Sequence, residues 1–543
     1  MSLAKELIDR QQNVERGLGT YYAHCAEVAK YVAPNLDTFF STKITQGEKR
    51  TQSIYDSMPV FALERFASIM QSLVAPNNSY WHTIEPEDDA LLDDHAAAVW
   101  YEKVRNRLFK LRYGHKSNFS SQINQVMLSM GAFGPGVLIT ESRPGEWLRY
   151  RNTHIKEHFF TENTDGFIDT NYRKYALTAK QAAEVFGEKE LSEKIKSALE
   201  RGDTQTKFTF LHCVFPNEER IKGVLGPKGM AYASFHVDVE GQKILGGQKG
   251  YRKFPFHVAR YTTTPDEIYG RSPAMTVLAD IKMRNQAAKT DIKQRHIALD
   301  PPNLVSSDIN LRSFSLKPGA MNPGTLDMNG NPLVRPYQSG ARFDTTNDMM
   351  DRNERSIKDA FLINLFQILI ETPEMTATEF LGRQREKGDL LSPIAGRIEN
   401  EFLSRIIERE IDELSFSGAF DKGRELEMPE SVRAAGGAYK VTYTSPMSQF
   451  RLSGEAAGAE KTLQSLIPVA QVDPTAWEYI NIPEYIKIIA RASGAPARMM
   501  VPKEVVEANK EARAQVEQMN QVAQMGPAIA GSIKDLAQAQ AAG

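Results

Sequence analysis

The sequence predicts an α+β fold in which helix predominates, and three observations carry that expectation. Apolar residues recur at spacings of three and four along most of the chain, the period of one helix face. Between about Gly131 and Thr262 this period gives way to short β-prone runs separated by Gly, Pro and charged turns, the pattern of antiparallel strands. The 543 residues are 41% hydrophobic and 25% charged, close to globular averages, which excludes wholesale disorder and allows several cores. A prior of roughly 150 residues per domain gives three or four domains.

The elements follow in order. The first residues (MSLAKELIDRQQNVERGLGTYY) are charged and helix-like, without the apolar centre of a signal peptide. Leu63, Phe66, Ile69, Met70 and Leu73 mark one helix, stopped by the turn residues Ala75-Pro76-Asn77-Asn78. Val99, Trp100, Val104, Leu108 and Leu111 mark a second over about Asp93 to Leu111. The acidic run before it, Glu85 to Asp94, reads as a paired-carboxylate site or, better, as a solvated loop favouring a helix N-terminus. The runs GVLITES, EWLRYRN, KFTFLHCVF, AYASFHVDVE and FPFHVARYT supply the strands. One helix with a Thr cap is expected among them, from Thr178 to Arg201.

Pro273 to Asp300 reads as a helix with Ser272 as cap and Pro in its first turn, ended by Pro301-Pro302. Residues 301–342 hold six prolines and four glycines, with turns at Lys317-Pro318-Gly319, Asn322-Pro323-Gly324 and Asn329-Gly330. That segment must be a long loop or a small strand unit, of the kind that carries function. A returning helix is expected over Asp344 to Glu371, about 42 Å long at 1.5 Å per residue. It starts polar and turns apolar all round from Ile357 to Ile370, so its far end should be buried. After the break at Glu371-Thr372-Pro373, helix is expected over about Ala377 to Leu414, with an interruption near Gly388 to Pro393. A β-prone piece follows at Tyr439 to Thr444, then helices over Glu455 to Val472, Pro483 to Ser493 and Lys503 to about Met525.

The chemistry is mostly one of exclusions. With 66 basic and 68 acidic residues the net charge is −2, which argues against a protein that coats duplex by neutralising phosphates. Cys25 and Cys213 are the two cysteines, so neither a disulfide framework nor a cysteine zinc cluster is expected, and a reducing, intracellular setting fits. The most apolar run, Ala360 to Ile370, is far short of the roughly 20 residues of a membrane span. No phosphate loop or GxSxG elbow occurs, and the glycines from Gly131 to Gly136 precede a strand instead of opening a helix. His154, Glu157 and His158 lack the HExxH order and a third ligand. His212-Cys213 sits in a strand-like run and reads as core. The sequence therefore predicts no catalytic residue, no metal and no cofactor.

Two charged stripes remain. On the helix after Ser272, Lys282, Gln286, Lys289, Lys293 and His296 share one side at helical spacing, and Asp280, Arg284, Asp291 and Arg295 share nearly the opposite side. A helix polar on two faces cannot serve as an ordinary core helix; it bridges through solvent or lies against charged neighbours. The lysines, with Arg383, Arg385 and Lys387 further on, read as a solvated face or as intermittent contacts to a phosphate backbone, weakened by screening over about 8 Å.

Several stretches together resemble a known family. Tyr269-Gly270-Arg271-Ser272-Pro273 opens the polar helix and Asp300-Pro301-Pro302 closes it. The Pro/Gly-rich insertion comes next, and the returning helix ends in Glu371-Thr372-Pro373-Glu374-Met375-Thr376-Ala377-Thr378-Glu379. Leu391-Ser392-Pro393-Ile394-Ala395-Gly396-Arg397 and Val501-Pro502-Lys503-Glu504 follow. Each is weak alone, but their order and spacing over nearly the whole chain resemble the portal, or head-to-tail connector, proteins of short-tailed bacteriophages.

The resemblance implies a portal-type fold: an α/β wing (1–272), a stem helix (273–298), a clip (299–343) and a returning stem helix (344–371). Residues 372–449 would supply the tunnel loop, a long helix and the return to the wing, and 450–543 a helical crown with a C-terminal tail. It implies a dodecameric ring at one capsid vertex, assembled in the host cytoplasm and carried in the virion. Double-stranded DNA would pass through its channel during packaging and ejection. Terminase would dock first and the tail later, with capsid, scaffolding, tail adaptor and internal core proteins as further partners. Lys282, Lys289, Lys293, Glu371, Glu374, Met375, Thr376 and Arg383 would face the channel. Asp280, Arg284, Asp291 and Arg295 would meet neighbouring subunits, and Leu311, Phe314, Lys317, Asn329 and Arg335 would meet terminase or tail. The ATPase is a separate protein in such viruses, which suits the missing phosphate loop. The rival readings are a virion or scaffold protein without a channel, and a metal-dependent nucleic-acid enzyme.

Overall fold

The computed structural model describes residues 2–40, 47–92, 94–143, 146–305, 307, 314–338, 343–365, 390–445, 448, 458–468, 471, 473–492, 499, 501, 505–506, 508–513 and 515–516. They divide between two compact units. The first draws on Met1–Ser72, Asn118–Phe380 and Gly396–Ile406, and the second on Leu73–Ser117, Leu381–Ala395 and Ile407–Gly543.

The first unit is α+β. Its larger sheet is an antiparallel meander of His158–Glu162, Ile168–Thr178, Lys207–Pro216, Tyr232–Asp238 and Lys243–Tyr251. Alternation puts Phe208, Phe210 and Leu245 on one face, under the helices Ala179–Phe186 and Glu193–Glu200. The helix Leu3–Arg16 serves the other face: Glu15 pairs with Lys174 at 3.0 Å, and the Arg10 guanidinium lies 6.0 Å from the Phe215 ring. Both faces are thus covered.

The second sheet orders Glu146–Thr153, Pro135–Arg143 and Phe256–Arg260. The helix Phe119–Phe133 buries Ile123, Val126, Met127 and Met130. Its approach to the central strand requires glycine, since a Cβ on Gly136 would stand 2.3 Å from the Val126 carbonyl oxygen. Arg260, buried at the end of the third strand, pairs with Glu162 and, at 2.7 Å, with Glu401. Glu401 lies in Ile398–Leu403, a stretch of π-helix.

The second unit pairs His82–Pro86 with Tyr439–Tyr443, strands more than 350 residues apart, in antiparallel register. Asp94, the last of the acidic run, caps the helix His95–Arg112 by accepting the Ala96 N–H at 2.8 Å, whereas Glu85 at the start of the run lies in the strand His82–Pro86 and not in a loop. At the other end Arg112 is fully buried, donating from Nε to Glu410 at 2.9 Å and sharing His82 Nε2 at 3.1 Å. Burial, then the Arg112 charge, push the His82 pKa well down, so the imidazole is neutral and accepts.

Three expected helices are divided. The stretch Thr178–Arg201 is two helices, because Gly187 turns the chain at φ +82° and Leu191 is buried between them. Ser272 caps its helix, accepting from Met275 and donating to the Ala132 carbonyl oxygen at 2.9 Å. That double tie pins the short helix Pro273–Thr276, and after Val277 the chain continues as the 22-residue helix Leu278–Leu299. The returning helix, Phe343–Ala360, stops at Phe361 and Leu362 instead of running unbroken. Asn364 bonds the Asp359 carboxylate at 2.7 Å and Leu362 takes φ +61°, so a side-chain bond competes with the helical ladder there. Ile357, Phe361 and Ile363 are buried, as their apolar run predicted, whereas 366–389 lies outside the described residues.

Candidate functional site

The long helix, the insertion and the returning helix form a continuous excursion from the first unit. The insertion is anchored by a short antiparallel pair, Asn303–Val305 with Val334–Pro336, which brings its two ends together. Beyond it the chain turns at Asp327, whose carboxylate accepts from the Asn329 and Asn331 N–H groups at 2.8 and 2.7 Å. Asn322 ties both backbone groups of Ser315 at 2.8 Å. The frame is therefore ordered by local polar bonds, while Leu304, Leu316, Leu326, Met321 (94% exposed) and Met328 (fully exposed) face outward.

The long helix is buried only in its first half, at Leu278, Ile281, Arg284 and Ala288. Arg284 is the hub. It pairs with Asp56 and, at 3.0 Å, with Glu354, and it donates to the Met350 carbonyl oxygen. Beside it Asn285 accepts the Tyr55 N–H at 2.7 Å and donates to the Ser53 carbonyl oxygen at 2.9 Å. Asp280 accepts from Ser356 at 2.7 Å. Lys358 and then Arg284 hold the Glu354 carboxyl below its usual pKa, so Glu354 stays ionised at neutral pH.

Of the four residues expected between subunits, Asp280 and Arg284 thus have partners within the chain, while Asp291 and Arg295 pair with each other at 2.6 Å. Of the expected channel lysines, Lys282 is exposed and paired with Glu27, Lys289 lies 5.1 Å from the Tyr55 ring, and Lys293 is exposed. Among the expected docking residues, Phe314 is half-buried, Lys317, Asn329 and Arg335 are exposed, and Arg335 stands opposite Leu304 in the strand pair. Leu311, Glu371, Glu374, Met375, Thr376 and Arg383 lie outside the described residues.

Sequence reasoning missed Asp56, Asn285 and Glu354, because nothing local signals a bond across 228 positions. It also passed over the outward apolar residues of the insertion, whose signal is Leu or Met beside Pro/Gly turns. Elsewhere, His154 donates from Nε2 to the Leu36 carbonyl oxygen while its Nδ1 accepts the Lys156 N–H, and His158 is buried between Thr153 and Asn171.

The chain matches the family described as bacteriophage head to tail connecting protein over residues 4–501. It is 24% identical over 531 residues to the portal protein of Salmonella phage epsilon15, covering 96% of this chain and 93% of that one. It is also 24% identical over 526 residues to the probable portal protein of Bordetella phage BPP-1, covering 96% and 92%. Among solved structures, a chain from the virion of a native gene transfer agent particle aligns at 11% identity and a TM-score of 0.31, over 73% of this chain and 96% of that one. A chain from the neck of the same kind of particle aligns at 11% identity and a TM-score of 0.32, over 75% and 86%. A family match of that extent is decisive: the chain belongs to the bacteriophage head to tail connecting proteins, and its role is that of a portal, or head-to-tail connector.

Proposed function

We propose that copies of this chain close into a ring of twelve at one capsid vertex. Its bore passes double-stranded DNA during packaging and ejection, and its projecting end receives terminase and later the tail. One observation carries the reading. The long helix keeps ionised side chains on opposite sides and exposes Met283, Ile292 and Leu299, surface that a lone chain leaves uncovered. A closed heterologous ring covers such sides by placing identical helices next to one another.

In this reading 1–272 is the wing, the helices on either side of the insertion are the stem, 299–343 is the clip, and the last ninety or so residues form the crown. Arg284 and Asp280 brace the stem from within. Asp291 and Arg295 meet the neighbouring subunit, and Lys289 and Lys293 meet the duplex intermittently. The segment holding Glu371, Glu374, Met375, Thr376 and Arg383 lines the bore. The exposed Leu and Met residues of the clip, with Lys317, Asn329 and Arg335, form the docking end. A net charge of −2 suits a conduit, because a strongly basic bore would grip the duplex. No step of the role calls for catalysis by this chain.

Two changes test it. Deleting 305–340 should leave rings that form but recruit neither motor nor tail; failure to form rings would make the insertion structural. Reversing Lys289 and Lys293 to Glu together should leave rings intact and alter DNA packaging or retention. Unchanged packaging would remove those lysines from the DNA path.

A further inference from the structure

The five-stranded sheet contains a feature that the connector role does not use. His158 stands opposite Arg173, Arg173 opposite His212, and His212 opposite His236, on four successive strands. Directly opposed residues share a face and sit close together. The His212 and His236 rings are stacked, with centroids 4.1 Å apart and planes 14° from parallel. We propose that this row is an acid-sensitive ladder: protonating its histidines sets cation against cation across adjacent strands and opens the sheet.

The surroundings provide room for one positive charge in the row. Glu157 pairs with Arg173 at 2.9 Å. The three histidines meet neutral groups: Thr153 and Asn171 for His158, Ser234 for His212, and the Tyr175 hydroxyl for His236. Rings close the rest, with Phe256 beside His158 and His212, Phe186 beside His236, and Tyr251 beyond His212. The further charges felt from neighbouring elements are cationic: Lys249 on the fifth strand acts on His212 and His236, and Arg151 acts on His158, which His154, itself held down to about 4 by burial, joins only once it takes a proton. Arg151 itself is paired with Glu141 at 2.9 Å.

Burial first, and these cations second, push all three imidazole pKa values down, His236 to about 4. An unfolded imidazole titrates near about 6.5. Between those values the open strands take up protons that the closed sheet refuses. The ladder therefore costs nothing above about pH 6.5, and stability is lost as pH falls below it. Each histidine contributes up to about a tenfold rise in the opening constant per pH unit, and three together up to about a thousandfold.

Hydrogen exchange read by mass spectrometry on the full chain, from pH 7.5 to 4.5 and corrected for the intrinsic pH dependence of exchange, tests this. Opening of the peptides over 158–178 and 207–251 should steepen below pH 6, while the helical peptide over 58–72, which has no histidine, changes little. His236→Phe keeps a ring in the stack and removes one proton site, so its opening should lose about tenfold of that rise per pH unit. His236→Asn serves the same purpose if the larger ring does not fit. A sheet no more pH-sensitive than the helix would overturn the proposal. So would variants with the wild-type slope, which would assign the acid response to carboxylates.

Discussion

The five-stranded sheet and the helix Leu278–Leu299 belong to the same unit and handle polar side chains in opposite ways. In the sheet the buried row finds its partners within the chain: Arg173 has Glu157, His158 has Thr153 and Asn171, and His212 has Ser234. On the helix only the first half reaches that condition, through Arg284 and Asn285. Its second half leaves Lys293, Arg295 and His296 at the surface, and the insertion beyond places Met321 and Met328 in solvent. The sheet is complete as one chain, and the helix with its insertion is not. Incomplete surface on an otherwise ordered element is what an assembling protein should carry.

Substitutions along this gradient should fall steeply in their effect on folding, and each can break the contrast. Phe210, fully buried beneath the two short helices, is the strongest case: Phe210→Ala should cost about 3–5 kcal/mol in denaturant unfolding. A cost under about 1 kcal/mol would show that the sheet is not self-sufficient. Arg284→Ala removes bonds to Asp56, Glu354 and the Met350 carbonyl and should cost about 2–3 kcal/mol, read as faster exchange in 343–360. If exchange changed only after assembly, Arg284 would be acting between subunits after all. Arg295→Ala breaks the pair with Asp291 and should leave denaturant unfolding of the dilute monomer nearly unchanged, yet raise the concentration needed for rings. Met328→Ser should leave stability within about 0.5 kcal/mol and weaken motor or tail binding; unchanged binding would place the docking surface elsewhere.

How far the sequence foretold this follows from the range of the interactions. Alternating runs marked the strands Pro135–Arg143, Lys207–Pro216 and Tyr232–Asp238, because period-two patterning is local. The Ser272 cap and the Pro/Gly insertion were legible for the same reason. His158–Glu162, Ile168–Thr178 and Lys243–Tyr251 were passed over: the first is short, the second is rich in polar residues, and the third carries glycines. The breaks at Gly187 and Leu362 are local, but they were masked by good helical spacing on either side. Contacts across hundreds of residues left no signal at all. Arg284 looked like a group waiting for a neighbour because its partner Asp56 comes from a distant part of the chain, and the histidine ladder exists only once four strands are in register.

Mass photometry of the purified full-length chain, followed by electron-microscopic class averages of the heaviest species, bears most directly on the account. A particle of about twelve times the 60.9 kDa chain mass, with an open axial hole of duplex width, is the expected result. A monomer that persists at concentrations where the exposed helix should be covered, or a particle without a hole, would contradict it.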